Sequence, residues 1–143
     1  MTLAFEALYV SCAQAIGGEI QQVNFDTLPA SFDEVGRRSP YLLLGRNFEF
    51  DDDTTTVEWH DGSDYSGGAE IRSLILKRDR MEVRLDCDLD VKVTFRLTVR
   101  KYDRLESFLR RIVGGRLWLG NQVPEPDAPP NAGAADAPPS SVN

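Results

Sequence analysis

The sequence predicts an α+β fold that is mostly β: an antiparallel sheet of several strands with one carboxy-terminal α-helix packed on it. Apolar residues occupy every odd position from Met81 to Val99, a period of two that is typical of strands with one buried face. After Val99 the apolar residues recur at helical spacing as far as Val113. With 41% hydrophobic and 27% charged residues, the composition is that of an ordinary globular domain.

Five further strands are predicted before Met81, from apolar and β-branched runs separated by Gly, Pro, Ser and Asp. The run that begins YLLL has large apolar side chains at both parities, which is typical of a central strand covered on both faces. The pair Gly17-Gly18 joins the first two strands, and a long loop is predicted at residues 27–40. The predicted strands span residues 3–10, 20–25, 41–50, 54–59 and 71–77.

The period-two run is too long for one strand, since strands usually have about 3 to 10 residues. The natural turn is at Asp86–Asp90. If the odd-numbered residues of both strands point inward, an odd-numbered residue of one strand must lie opposite an odd-numbered residue of the other. The residue numbers of each opposed pair then add up to an even number. The loop must then contain an odd number of residues, roughly three or five.

The helix is predicted at residues 100–115. Thr98 is the expected N-cap and Gly114 the expected first residue beyond the helix. Glu106 and Arg110 form a favourable i,i+4 pair. Residues 117–119, Leu-Trp-Leu, are expected to fold back onto the core.

The chain is predicted to be one domain, residues 1–120, followed by a tail. Residues 121–143 hold six of the eight prolines, and Val is their only large apolar residue type. Such a segment cannot bury enough surface to offset the entropy of ordering, so it is predicted to be disordered.

The net charge of −7 is distributed unevenly. Residues 1–70 contain 13 acids and only three basic residues, whereas residues 71–116 contain 13 basic residues and seven acids. This asymmetry bears on partners and association rates rather than on the fold. The overall acidity argues against nucleic-acid binding, which needs a dominant positive field.

No catalytic, cofactor or metal motif is visible, and the chain is predicted not to be an enzyme. His60 is the only histidine, and Cys12 and Cys87 are far apart, which leaves a disulfide between them open. DCDLD, residues 86–90, lacks the glycine and the final acid of a calcium loop. No apolar run approaches the roughly 20 residues of a membrane span, and the amino terminus lacks the positive region of a signal peptide. We therefore expect a cytoplasmic protein.

The segment EFDDDTTTVEWHDGSDY, residues 49–65, has seven acids, no Lys or Arg, and two large aromatics. It is either a solvated hairpin or a face that binds a basic partner, because Trp and Tyr are common interface anchors. The predicted partner-binding residues are Asp51, Asp52, Asp53, Glu58, Trp59, His60, Asp61, Asp64 and Tyr65.

Residues 39–113 resemble the immunity protein 10 family of bacterial polymorphic toxin systems. The shared features are a YLLL-x-R strand, an acidic strand pair, a turn ending in YSGG, a strand-R-D-strand hairpin and a closing helix. The resemblance implies a protein that binds and neutralises a cognate toxin domain, with a basic, nuclease-like toxin as the best match to the acidic half. Gly45 departs from the polar residue expected there. The matching positions are Tyr41, Arg46, Glu58, Tyr65, Gly67 and Gly68.

Two other classes of function stay open at this point. One is a small-ligand-binding domain with a pocket between helix and sheet. The other is an adaptor whose proline-rich tail recruits a partner. No sequence feature fixes the oligomeric state.

Overall fold

The computed structural model describes residues 1–29, 38–49, 55–118 and 120, and this part of the chain contains nine strands and one α-helix. The predicted α+β, mostly β fold with one carboxy-terminal helix is confirmed. The tail from residue 121, most of the predicted long loop, and Asp51–Asp53 lie outside the described residues. The elements are β1 (Thr2–Glu6), β2 (Tyr9–Ala15), β3 (Ile20–Asp26), β4 (Tyr41–Asn47), β5 (Thr56–His60), β6 (Tyr65–Gly67), β7 (Ile71–Leu76), β8 (Arg80–Leu85), β9 (Asp90–Thr94) and α1 (Val99–Leu117).

The strands form two sheets rather than the single predicted one. A five-stranded sheet has the order β2-β3-β4-β5-β6 and is antiparallel throughout. A four-stranded sheet has the order β1-β9-β8-β7, in which β1 runs parallel to β9. The five-stranded sheet is therefore built from consecutive strands, whereas the four-stranded sheet joins the amino-terminal strand β1 to β7, β8 and β9.

The chain passes between the sheets at two corners. At the first, Ala7 N–H donates to Thr94 O at 2.8 Å in one sheet, and Leu8 N–H donates to Asp26 O at 2.9 Å in the other. The predicted strand 3–10 spans this corner. Strands that change sheet at a bend or bulge are the usual way to make such corners.

The second corner follows β6. Gly68 N–H still donates to Val57 O of β5 at 3.1 Å, whereas Glu70 O accepts from Asp86 N–H beside β8 at 3.0 Å. Gly68 has a φ of 89°, which an L side chain rarely adopts. A glycine is therefore needed where the chain turns from one sheet into the other.

The hairpin of β8 and β9 has the predicted register. Arg84 lies opposite Asp90, an even sum of positions, and five residues separate the two. Asp88 within that turn has a φ of 64°, a conformation that Asp tolerates better than most residues. The odd-numbered residues of both arms face the core, as predicted.

The predicted N-cap of the helix is confirmed, whereas the predicted end is wrong, because α1 continues past Gly114 to Leu117 and Trp118 is its C-cap. The Thr98 hydroxyl accepts a hydrogen bond from Lys101 N–H at 3.2 Å. Gly114, with a φ of 74°, interrupts the helical conformation. The Arg110 guanidinium lies 3.3 Å from the Glu106 carboxylate. Trp118 is buried and forms a bridge to Leu74 of β7, so the chain does fold back onto the core.

One hydrophobic core lies between the inward faces of both sheets and α1. Phe25 of the five-stranded sheet stacks on Phe95, which follows the four-stranded sheet, with ring centroids 6.1 Å apart. Leu105 of the helix is fully buried in the same core. The outward face of the five-stranded sheet carries the polar residues considered next.

Candidate functional site

The two faces of the five-stranded sheet are distinguished by its register. Leu42 and Leu44, both fully buried, lie opposite Trp59 and Val57. Directly opposed residues of a sheet project on the same side, so Trp59 is on the core face, where it is partly buried against the core. The outward face therefore belongs to the alternate residues of each strand.

A single row of opposed residues crosses all five strands on this outward face. Each residue of the row lies directly opposite the next one on the adjacent strand. Three of its members are tyrosines. Only four tyrosines occur in the chain, and the fourth, Tyr102, is buried in the core. We call this the tyrosine row; from β2 to β6 its members are Tyr9, Asp26, Tyr41, His60 and Tyr65.

The outer tyrosines of the row are open to solvent. Tyr9 is 48% exposed and Tyr65 is 58% exposed. Exposed tyrosines offer a large rigid contact area together with a hydroxyl, which suits them to binding. The middle of the row is more enclosed: Tyr41 stacks on His60 at 6.2 Å between ring centroids, and His60 is 8% exposed.

His60 is fixed by the turn that follows it. Its Nδ1 accepts a hydrogen bond from Gly62 N–H at 3.0 Å. In the neutral imidazole the proton then resides on Nε2. The ring is held in place as a neighbour of Tyr41 rather than presented as a free side chain.

Asp26 supplies a carboxylate to the row while also shaping the chain beside it. Its Oδ1 accepts from Leu28 N–H at 3.0 Å, and its Oδ2 accepts from the Asn24 amide at 3.4 Å. The residue is 6% exposed. A buried carboxylate needs such donors, because an unpaired charge away from water is costly.

Glu58 and Tyr65 act together at the β6 side of the face. The hydroxyl of Tyr65 and the side chain of Glu58 both lie beside Gly67. Partial desolvation, together with the charge of Glu58, raises the pKa of Tyr65 above its ordinary value of 10.0, so the phenol stays protonated. A Cβ on Gly67 would lie 3.2 Å from Tyr65 Oη, so the glycine leaves room for this hydroxyl.

Glu58 also separates two hollows in the surface. One, of about 210 Å³, is lined by Asn24, Asp26, Tyr41, Leu43 and Glu58. The other, of about 410 Å³, extends from Glu58 and Tyr65 to Glu70 at the second corner. A carboxylate on the wall of both hollows is well placed to meet basic side chains of a partner.

Asp61 and Asp64 lie in the turn beyond His60. The carboxylate of Asp61 accepts from the N–H groups of Ser63 and Asp64, each at 2.8 Å. These backbone hydrogen bonds hold the pKa of Asp61 below its ordinary value of 3.8. Asp61 therefore forms the turn, and both side chains stay exposed at the end of the face.

The face is acidic because its strands lack basic residues where they point outward. The outward positions of β2 to β6, all of them described, hold Asp26 and Glu58 but no Lys or Arg. Arg46, the one basic residue in these strands, is on the core face, where it donates to Ile112 O at 3.5 Å. Apart from neighbouring strands, α1 is the element that packs extensively on β2, β3 and β4, and it does so on the core face.

The predicted site residues are thus only partly brought together. Glu58, His60 and Tyr65 share the outward face, Asp61 and Asp64 adjoin it, and Trp59 is on the opposite face. Asp51, Asp52 and Asp53 lie outside the described residues. The predicted partner-binding residues did not include Tyr9, Asp26 or Tyr41, although Tyr41 is one of the positions that match the family; the signal for Tyr9 and Asp26 is only their parity in separate strands.

Within the described ranges, no cluster of three or more His, Cys, Asp or Glu side chains is arranged to hold a metal ion. Cys12 and Cys87 are both unpaired. Among the described residues, no helix is both long and apolar enough to cross a membrane.

Comparison with known proteins found no matching family model, no similar curated protein and no similar solved structure.

Proposed function

We propose that this protein is an immunity protein, which binds a cognate bacterial toxin domain and neutralises it by direct contact. The observation that carries the proposal is the tyrosine row: three tyrosines and a carboxylate in one line, on a sheet face whose strands have no Lys or Arg at their outward positions. The protein acts by binding rather than by catalysis, and it does so in the cytoplasm, where both cysteines stay reduced.

The exposed tyrosines supply the contact energy in this proposal. Tyr9 and Tyr65 project from the two edge strands of the sheet, so a partner that spans the face meets one at each side. Large aromatic side chains that become fully desolvated account for most of the energy of many interfaces. The more enclosed Tyr41 and His60 provide a firm floor between them.

The acids supply speed and selectivity. Opposite electrostatic fields accelerate association and disfavour partners of the wrong charge. The partner that fits is a toxin domain with a basic surface, such as the cleft of a nuclease. Asp61 and Asp64 extend the acidic field beyond the end of the row.

The family resemblance agrees with this division of roles. Of the positions that carry it, Tyr41, Glu58 and Tyr65 are on the proposed face. Gly67 leaves space for Tyr65, and Gly68 turns the chain at the second corner. The resemblance therefore includes both residues that shape the fold and residues that a partner would contact.

The decisive experiment is co-expression with the toxin domain encoded by the adjacent gene. The parent should restore growth and co-purify with the toxin. A Tyr9→Ala/Tyr65→Ala variant should lose both properties while keeping its melting temperature. The matched control is Ile75→Ala, which alters a partly exposed residue outward on the other sheet.

Failure of the parent to protect against, or to bind, the adjacent toxin would overturn the proposal. If the parent protects and the double tyrosine variant protects equally well, the function stands but the face is wrong. The predicted steering role of Asp51, Asp52 and Asp53 is tested in the same assay by reversing all three to Lys.

A further inference from the structure

The edge of the five-stranded sheet at β2 has open backbone groups. Phe48 N–H donates to Glu19 O, so Glu19 and Phe48 form a hydrogen-bonded pair. Such pairs alternate along an antiparallel ladder, so the odd-numbered residues of β3 bond to β4 and its even-numbered residues bond to β2. In the register of β2 with β3, the odd-numbered residues of β2 lie opposite these even-numbered residues and form hydrogen bonds with them. The N–H and C=O groups of Val10, Cys12 and Gln14 therefore point away from the sheet.

These groups have no hydrogen-bond partner among the described residues. Open edges of this kind are normally protected by charged residues, Pro or bulges, because they pair readily with other strands. β2, YVSCAQA, has none of these within its seven residues. By contrast, the edge strand β1 contains Glu6, β7 contains Arg72, and β6 is only three residues long.

We propose that β2 pairs antiparallel with β2 of a second copy of this chain, with Cys12 opposite Cys12 of the partner subunit. This register sets Val10 opposite Gln14 of the partner subunit. It is the one symmetric register that satisfies every open N–H and C=O group of both strands, since the open residues are centred on Cys12. Any other register leaves some of these groups without a partner.

A second copy suits this edge because β2 has no charged residue, so the paired strands themselves oppose no like charges. The chain is acidic overall, and directly opposed like charges destabilise a strand pair. Side-chain size is also complementary along the outward face, where Tyr9 lies opposite Ala15 of the partner subunit. The symmetry axis is perpendicular to the sheet, so both tyrosine rows face the same side and the dimer presents two proposed toxin-binding faces.

Arg104 and Arg111 give the dimer a distinctive response to salt. The charges of Arg104 and Arg111 both act on the Cys12 thiol, and the Arg111 guanidinium donates to Ser107 O and Oγ at 3.4 and 3.2 Å. Since Cys12 is at the proposed symmetry axis, these basic side chains of the two copies lie near one another there. Salt screens their repulsion, so added salt should strengthen the dimer.

The test is sedimentation analysis of the full chain over a dilution series at low and high salt, without any toxin. The parent should show a monomer–dimer equilibrium that shifts toward dimer as salt increases. The informative variants change Ser11 and Ala13, which are exposed and lie opposite one another across the proposed contact. Ser11→Lys/Ala13→Lys would oppose like charges and should abolish the dimer.

The matched variant, Ser11→Lys/Ala13→Glu, places opposite charges across the same contact and should keep the dimer. Melting temperatures show that both variants fold. A parent that stays monomeric at every concentration overturns the proposal, as do two variants that dimerise equally. If the parent is monomeric and the double-lysine variant binds the toxin more weakly, the edge accepts a strand of the toxin instead. The sedimentation outcomes, which decide the dimer proposal, do not depend on whether the protein neutralises a toxin.

Discussion

The outward faces of the two sheets differ in how their charges are arranged, although both sheets share one core. On the four-stranded sheet several charges are paired: Arg84 lies 3.0 Å from Asp90, and Arg80 lies within 4.0 Å of Asp79 and of Glu82. On the five-stranded sheet the outward strand positions hold Asp26 and Glu58 but no Lys or Arg, and the exposed Tyr9 and Tyr65 are on that face.

This difference separates a solvated surface from a candidate binding surface. Exposed ion pairs contribute only about 0 to 1 kcal/mol each, so the paired face contributes chiefly solubility. Exposed tyrosines and unbalanced acids contribute little to folding and leave contact area and charge available for a partner. The contrast can be tested by making equivalent changes on the two faces.

The largest effect should come from the core that joins the faces. Phe95→Ala removes the ring that stacks on Phe25 and should lower the free energy of unfolding by about 3 to 5 kcal/mol. Phe48, which is 40% exposed, is the control, and Phe48→Ala should cost far less. Denaturant titration followed by tryptophan fluorescence measures both. Equal losses for the two variants would show that the shared core has been assigned wrongly.

The next largest effect should be on binding. Tyr65→Ala should weaken toxin binding by roughly 2 kcal/mol or more, mainly through faster dissociation, because it removes a desolvated anchor. Tyr65→Phe keeps the ring and loses only the hydroxyl, so its loss should be smaller. Surface-immobilised toxin gives both rate constants. Unchanged dissociation from Tyr65→Ala would remove this residue from the interface.

Much of the fold could be predicted because its signals are local. The period of two around Asp86–Asp90 fixed the register of the β8–β9 hairpin, and Thr98 marked the start of the helix. The corners were missed because they depend on partners far away in sequence: Ala7 bonds to Thr94 while Leu8 bonds to Asp26. Nothing in residues 3–10 alone reveals that their two ends belong to different sheets.

The tyrosine row could not be predicted for the same physical reason. Its members lie on five strands, and only the register of four strand pairs brings them into line. The acidic run around Trp59 was visible as composition, yet composition does not tell which residues share a face. The alternation of a strand places Trp59 on the core side and Glu58 on the outward side.

A charge reversal on each face should have a smaller effect than loss of a tyrosine. Glu58→Lys should slow association with the toxin by up to about tenfold at low salt, because it weakens the acidic field on the binding face. Glu82→Lys makes the same change on the paired face and should alter association little. Stopped-flow mixing at several salt concentrations distinguishes them. Equal slowing by both variants would mean that net charge, and not this face, steers the encounter.

The smallest expected effect is on stability in acid, and it separates the two kinds of charge. Asp61 has its pKa lowered below 3.8 chiefly by backbone N–H groups, whereas Asp90 has its pKa lowered below 3.8 chiefly by its hydrogen bond to Arg84. In both cases the folded pKa is below the unfolded one. The stabilisation is therefore complete above the unfolded pKa and is lost as pH falls through the folded pKa.

The two contributions should respond differently to salt. Attraction between the charges of Asp90 and Arg84 is screened in part, so the pKa of Asp90 should rise toward its ordinary value at high salt. The pKa of Asp61 should stay low, because its largest causes are short hydrogen bonds to Ser63 and Asp64 N–H. Carboxyl NMR titration from about pH 6 to about pH 2, at low and high salt, measures both residues in one sample. Arg84→Ala should remove the shift at Asp90 and leave Asp61 unchanged. If salt raised the pKa of both carboxyl groups equally, the low pKa of Asp61 would come from surrounding charges rather than from the backbone of its turn. The position of Asp61 at the end of the acidic face would then need another structural reason.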